Sequence, residues 1–355
     1  MKYNRLGNTG LQVSELCFGT MTFSGANFLG GVIGKQGQKE ATQLIARALE
    51  ARINFIDTAD VYSLGESEAM TGQALKELGV KRSDVVLATK AFARMGPGPN
   101  DIGASRGHIM DAVSQSLERL QTDTIDLYQI HQADIATGVE ETMRALDDLV
   151  SQRMIRYVGV SNWEAWRIMK ANGIADKRGW ARIETSQAYY SIAGRDLEQE
   201  LVPLMADQQI ACLVWSPLAG GYLAGKYTPG GEAQEPGRRA AFDFPPIDKD
   251  KADRIVVAMR PIAKAHGVSV ARVALAWVRA KPFVTSTIIG AKTLAQLNDN
   301  LEAVTLTLTD AEMATLDEIS ADRPQYPHWM RIRNNSTRHY AGEPVKIGGV
   351  PSAKV

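Results

Sequence analysis

Cysteine is nearly absent from this chain: only Cys17 and Cys212 occur, each inside an apolar stretch, "ELCFGT" and "IACLVW". Two such residues argue against a disulfide framework and suit buried, reduced thiols. An excess of charge of either sign is lacking too, since 40 Lys and Arg balance 40 Asp and Glu. No global field draws a polyanion, so neither nucleic acid nor an acidic membrane surface is an expected partner, and a small molecule is. No apolar run reaches the roughly 18 residues of a membrane span, and "MKYNRLGNTG" carries no signal-peptide core. The expectation is a soluble, cytoplasmic protein. Five scattered histidines, without HxH or HExxH spacing, predict no metal site and disfavour a metal-dependent hydrolase.

What the chain does have is a regular alternation. Over 355 residues, 45 % of them hydrophobic, short apolar runs alternate with longer segments of helical period. That order describes a parallel sheet with crossover helices. After a small hairpin turning at Asn8 to Gly10, the runs are Leu16 to Gly19, "INFID", "DVVLATK", "TIDLYQIH", "IRYVGVSN", "RIETSQ", "IACLVWSP" and "TSTIIGAK", eight in all. Eight is the number that closes a (β/α)8 barrel. The rival is a doubly wound open sheet, but "CFGTMTFSGANFLGG" does not supply the GxGxxG turn such a sheet uses for a dinucleotide. Helices are marked by Leu44, Ile45, Ala48 and Leu49, by Ser105 as a cap before Ile109, Val113, Leu117 and Leu120, and by Val139, Met143, Leu146 and Leu149. Residues 1–320 therefore read as one barrel. A Gly/Pro-rich insertion at 220–248 and an Arg-rich, nonperiodic tail at 321–355 break the rhythm, each either a surface segment or a lid over the barrel mouth.

In a parallel barrel the C-terminal ends of the strands share one mouth. The second run ends in Asp57, the third in Lys90 and the fourth in His131, with Tyr62 just beyond Asp57. Singly, each has an ordinary structural explanation. Together they form one machine: a phenol of reference pKa near 10 becomes a usable acid beside an ammonium, and a desolvated lysine keeps its proton beside a carboxylate. A histidine at the same mouth can orient a carbonyl oxygen. The chemistry is protonation of an oxygen while something else attacks carbon. Asp60 receives no role beyond capping the turn or the helix that begins at "GESE".

The words "FIDTADVY", "LATK", "DLYQIH", "GVSN", "SQAYYS", "WSPLAGGYLAGKY" and "IIGAKTLAQLNDN" give the chain a close likeness to a known family. It resembles the aldo-keto reductases, in the branch with potassium-channel β subunits and bacterial aldehyde and ketone reductases, from about residue 3 to residue 320. The resemblance implies a TIM barrel binding NADPH or NADP+ and interconverting an aldehyde or ketone with its alcohol, Tyr62 giving the proton, Lys90 and Asp57 tuning it, and His131 orienting the substrate. It further implies that Ser161, Asn162 and Gln187 hold the nicotinamide carboxamide, with Asp57 beside them, and that Trp215 stacks on the ring. Ser216, Pro217, Leu218, Ala219 and Gly220 with Lys226 would meet the pyrophosphate. Gly290 would allow a close approach, Lys292 and Thr293 would face the 2′-phosphate, and Gln296, Asp299 and Asn300 the adenosine. Thr20 and Met21 would neighbour the cofactor. By their position after strands one, three and five, Met21, Phe23, Phe92 and Trp163 are the expected substrate wall, and, in a tail that departs from shorter family members, Tyr326 or Trp329 is expected to fold over the mouth. The alternative function is a redox-sensing or regulatory NADP(H)-binding subunit with slow turnover.

Overall fold

The computed structural model describes residues 1–24, 34–227, 239, 242–335, 339–340 and 343–344. A hairpin comes first, β1 (Tyr3–Arg5) paired antiparallel with β2 (Gln12–Ser14). Eight parallel strands follow: β3 (Leu16–Gly19), β4 (Phe55–Asp57), β5 (Val86–Ala91), β6 (Ile125–Ile130), β7 (Ile155–Ser161), β8 (Ile183–Tyr189), β9 (Ala211–Trp215) and β10 (Val284–Ile289). They pair in chain order, and β10 returns to β3, closing a barrel. All eight apolar runs are therefore strands, and closure excludes the open doubly wound sheet.

Helices pack outside: α1 (Gln38–Glu50), α2 (Glu66–Glu77), α3 (Arg106–Leu120), α4 (Val139–Ser151), α5 (Ala165–Arg178), α6 (Leu201–Gln208), α7 (Lys249–His266), α8 (Val270–Arg279), α9 (Leu294–Leu301) and α10 (Asp310–Ile319). Their inner faces are those of the sequence periodicity. Leu44, Ile45 and Ala48 of α1, Ile109, Val113 and Leu120 of α3, and Met143, Leu146 and Leu149 of α4 are buried, and the Ser105 side chain accepts the His108 amide at the start of α3. Among the described residues no helix is long and apolar enough to cross a membrane. The tail departs from its nonperiodic reading: α11 (His328–Asn335) is helical. His328 pairs with Glu200 at 2.8 Å and the Gln325 amide donates to Gln199, which anchors the segment to the β8–α6 loop. Tyr326, 76 % exposed, and Trp329, 44 % exposed, pack on each other with much of each ring in solvent. Residues 228–238 and 240–241 of the insertion, and much of the chain beyond 335, lie outside the described residues.

Two apolar layers result. One fills the space between strands and helices. The other is the lumen, where Cys17, Phe55, Val86, Ala88, Leu127, Ala211 and Leu213 meet Leu6 and Val13 of the hairpin, which plugs the N-terminal end. Because side chains alternate along a strand, the residue two positions beyond a lumen residue also faces inward. Phe55 is thus followed by Asp57, Ala88 by Lys90, and Leu127 by Gln129. The lumen is apolar at its floor and polar at its mouth.

Strand β7 can pass this crowded mouth only with a glycine. A Cβ on Gly159 would lie 2.2 Å from Thr185 Oγ1 and 2.9 Å from Gln129 Cγ. Gly159→Ala should lower stability by about 2 kcal/mol, an overpacking cost. Urea unfolding of the two proteins measures it.

Candidate active site

Lys90 is fully buried, and burial alone would strip its proton. Its ammonium donates to Asp57 Oδ1 at 2.5 Å and to the Thr58 carbonyl at 2.7 Å. Burial works against the charge, yet the attraction of Asp57 and then of Tyr62 outweighs it and lifts Lys90 above its ordinary value. The second Asp57 oxygen accepts from Gln129 Nε2 at 3.1 Å and Gln187 Nε2 at 2.9 Å. The carboxylate is fixed on both sides. Tyr62 places its hydroxyl 3.4 Å from Lys90 Nζ, with the ammonium 5.0 Å from its ring centre. The His131 ring stands edge-on to Tyr62, centroids 5.8 Å apart. Burial, with Lys90 nearby, pushes this imidazole down to about 3, so it is neutral at working pH.

The backbone that delivers Tyr62 is strained. Ser63 and Leu64 have φ of 52° and 54°, left-handed values costly for residues with a Cβ. Asn162, Ser216 and Ala219, at the ends of β7 and β9, share that strain. Ser161 donates to the Gln187 carbonyl at 2.9 Å, and Asn162 bridges the His131 carbonyl (3.0 Å) and the Trp215 indole N–H (3.1 Å). The expected carboxamide group is thus brought together with the tetrad, with Gln187 bonded directly to Asp57. Trp215 carries a parallel ring, Phe244, at 5.7 Å.

After β9, Ala219, Gly220 and Gly221 are all left-handed, which turns successive amides to one side, and the Gly220 amide donates to Ser216 Oγ. Pro217 and Ala219 are buried in this turn, whereas Leu218 is partly and Lys226 well exposed. At the end of β10, Gly290 needs no unusual φ, and a Cβ there would meet only the Gly19 carbonyl, at 3.8 Å. The protein's own packing does not demand glycine at 290, and space is left beside it. Lys292 and Gln296 are exposed on the approach to α9, where Thr293 is the cap that accepts the Gln296 amide. Asp299 pairs with Arg272 at 2.8 Å, and Asn300, buried, donates to the Gly290 carbonyl.

Some expectations change. The Thr20 hydroxyl is buried against Ser67, at 2.9 Å, and faces the barrel wall; its neighbour Met21 is partly exposed. Phe23 is fully buried on Phe18 and belongs to the core, because the chain turns inward after β3. Trp163 is also almost wholly buried, under Arg167, while Phe92 is half-buried. Asp60 is no solvated cap: it is fully buried, neither carboxyl oxygen makes a well-formed hydrogen bond among the described residues, and the Val61 amide alone acts on it from the turn. Sequence reasoning missed Gln129, whose lumen parity with Leu127 and His131 was the available signal. It also missed Arg239, which donates to the Ala219 and Pro245 carbonyls, and Arg272; neither announces itself by period. Cys17 and Cys212 are buried free thiols.

The structure thus brings a lysine, a carboxylate, a phenol and an imidazole together at the mouth of a closed eight-stranded barrel. The chain matches the Aldo/keto reductase family over residues 15–321, and it belongs to that family. It is 35 % identical to a probable voltage-gated potassium channel subunit beta of Arabidopsis thaliana over 93 % of this chain and all of that one. It is 36 % identical to the uncharacterized oxidoreductase YrpG of Bacillus subtilis, covering 90 % and 96 %. The versiconal hemiacetal acetate reductase of Aspergillus parasiticus is 32 % identical, covering 92 % and 99 %.

The neutrality of His131 is directly observable. Its ring should show the nitrogen shifts of neutral imidazole from pH 8 down to about 4, whereas an ordinary histidine charges near 6.5. Nitrogen-15 NMR of labelled protein, assigned with His131→Asn, reads this out.

Proposed function

We propose that the protein is an NADP(H)-dependent reductase converting an aldehyde or ketone to an alcohol, or running in reverse. The observation that carries the reading is the Tyr62 hydroxyl 3.4 Å from an ammonium that Asp57 holds charged at 2.5 Å. An ammonium so placed stabilises phenolate and makes Tyr62 a stronger acid, able to hand its proton to a carbonyl oxygen. His131, neutral, keeps an N–H to donate to the same oxygen and orients it. When bound, the nicotinamide supplies the hydride to the carbonyl carbon.

The donor set fits such a cofactor. Ser161, Asn162 and Gln187 offer amide and hydroxyl groups matched to a carboxamide, and Trp215 offers a flat ring. The left-handed turn at Ser216 to Gly221, with Lys226, suits a pyrophosphate, and the space at Gly290 suits close approach of the dinucleotide. Lys292, with Thr293, would meet a 2′-phosphate, and Gln296, Asp299 and Asn300 would address the adenosine. Met21 and Phe92, partly open, would border the substrate, with Trp163 packed beneath. A small carbonyl compound and a cytoplasmic setting complete the reading. The likeness to named channel β subunits favours a second one, a nucleotide-binding regulatory subunit with slow turnover. Stopped-flow mixing of NADPH-loaded protein with a panel of aldehydes and ketones separates the two.

Tyr62→Phe should lower kcat for carbonyl reduction by 10²- to 10⁴-fold, roughly the span of a lost general acid. NADPH affinity, read by fluorescence titration, should stay within about twofold, because only the proton donor is removed. Near-normal turnover would refute the role given to Tyr62. Lys292→Ala should weaken NADPH about tenfold or more while leaving NADH nearly unchanged, since only the former carries the extra phosphate. Equal losses for both would move Lys292 off that phosphate.

A further inference from the structure

Asp60 is the one carboxyl of the "DTADVY" segment that the proposed chemistry leaves unused. It lies three residues after Asp57 and two before Tyr62, fully buried, with its amide donating to the Lys90 carbonyl at 3.0 Å. The groups facing it come from four elements. From α2 comes Glu68, fully buried, accepting from Thr89 of β5 and from Arg119. From α3 comes Arg119, whose Nε is 2.7 Å from Glu68. From β5 comes Lys90, committed to Asp57. From β6 comes Tyr128, whose hydroxyl, like both Asp60 oxygens, is buried without a well-formed hydrogen bond among the described residues.

The charges of this region do not balance if Asp60 is ionised. Lys90 is matched by Asp57 and Arg119 by Glu68, which leaves a third carboxylate buried with no cation of its own. An unpaired charge in such a place neutralises instead. Burial first, and the Glu68 charge second, push Asp60 up to about 8; the Val61 amide, Arg119 and Lys90 pull back only in part. The turn that Asp60 precedes is already strained; it is held from outside by Ser63 donating to the Phe23 carbonyl and closed on itself by the Tyr62 amide donating to the Ala59 carbonyl. A group there that demands water would be poorly tolerated.

We propose that Asp60 is a positioning residue kept as a neutral carboxylic acid, whose neutrality lets the Tyr62 turn stay packed in the barrel wall and whose ionisation draws that turn toward water and Tyr62 away from Lys90. The kinetic part rests on the reductase reading; the protonation state does not. Reduction then loses activity on the alkaline side through Asp60, before Tyr62 itself ionises.

The test is Asp60→Asn, an uncharged group of the same shape, read in two ways. The first is the melting temperature against pH. A carboxyl whose folded value is raised is protonated in the native chain where the unfolded chain has already released its proton. Wild-type stability from this group therefore falls as pH rises from about 4 to about 8 and levels beyond. The variant lacks that loss, so its advantage over wild type should widen from pH 5 to pH 8 and then hold. A gap that stays constant over this range overturns the proposal. The second is the ratio of kcat at pH 9 to kcat at pH 7. Wild type should drop about tenfold for one ionisation, and the variant less than about threefold. A variant that keeps the wild-type ratio overturns the positioning role. If no carbonyl is reduced by either protein at any pH, the reductase reading fails, and the melting curves still decide the state of Asp60. If Asp60→Asn does not fold, carbon-13 NMR of labelled wild-type aspartates decides instead: one carboxyl titrating near pH 8 supports the proposal, and all titrating below about 5 overturns it.

Discussion

The ion pair between Lys90 and Asp57 is the constraint on which the rest of the mouth depends. An ammonium with no exposed surface is tolerable only if its partner is close and that partner's remaining lone pairs are satisfied. Removing one member of such a pair costs about 3–5 kcal/mol, because the other is left charged in a dry place. The barrel meets the requirement with neighbouring strands: β4 supplies Asp57, β5 Lys90, β6 Gln129 and β8 Gln187, and their amides close the second carboxylate oxygen. The same closure limits what else the lumen can hold. Gly159 stays bare because Thr185 and the stem of Gln129 fill its side of the mouth, and the apolar floor below keeps the dielectric low where the charges sit. That arrangement leaves Tyr62 in the field of a charged ammonium.

Much of this was legible because a barrel strand writes its interior with a period of two. "INFID" and "DVVLATK" each end an alternation of apolar lumen residues on an ionisable one, and closure brings those ends together whatever the intervening helices do. Gln129 follows the same rule and could have been found by it. The illegible parts lie where the chain leaves the strands and the parity ends. Thr20 and Phe23 follow β3 by one and four residues, yet both point into the wall, since the turn there folds back onto α2 and Phe18. Asp60 looks from sequence like a solvated capping acid, and only the packing of α2, α3 and β6 around it shows a buried one. The short α11 is hidden for another reason: eight residues with two arginines, Arg331 and Arg333, leave no clear apolar stripe, and His328 meeting Glu200 ties it to the barrel.

Relatives named as reductases and relatives named as channel subunits share this chain's length, so length and fold do not separate catalysis from sensing. On the reading proposed above, the distinction lies in how the mouth holds Tyr62 relative to Lys90. The turn bearing it is forced through left-handed values at Ser63 and Leu64, which persist only because surrounding contacts hold them. A site of this kind is tuned as much by what grips the turn from behind as by what faces the substrate.

Strand β5 shows how that grip is organised. Its inward residue Lys90 serves the tetrad, and its outward neighbour Thr89 serves Glu68 and, through it, Arg119. Each side of the strand carries a matched cation and carboxylate, and each is therefore electrically closed. Asp60 hangs from the same strand through the Lys90 carbonyl and belongs to neither pair. A third anion would repel Glu68 on one side and weaken the hold of Asp57 on Lys90 on the other, so its proton protects both pairs at once. The turn carrying Tyr62 is thereby coupled to bulk pH through a group that never touches the substrate.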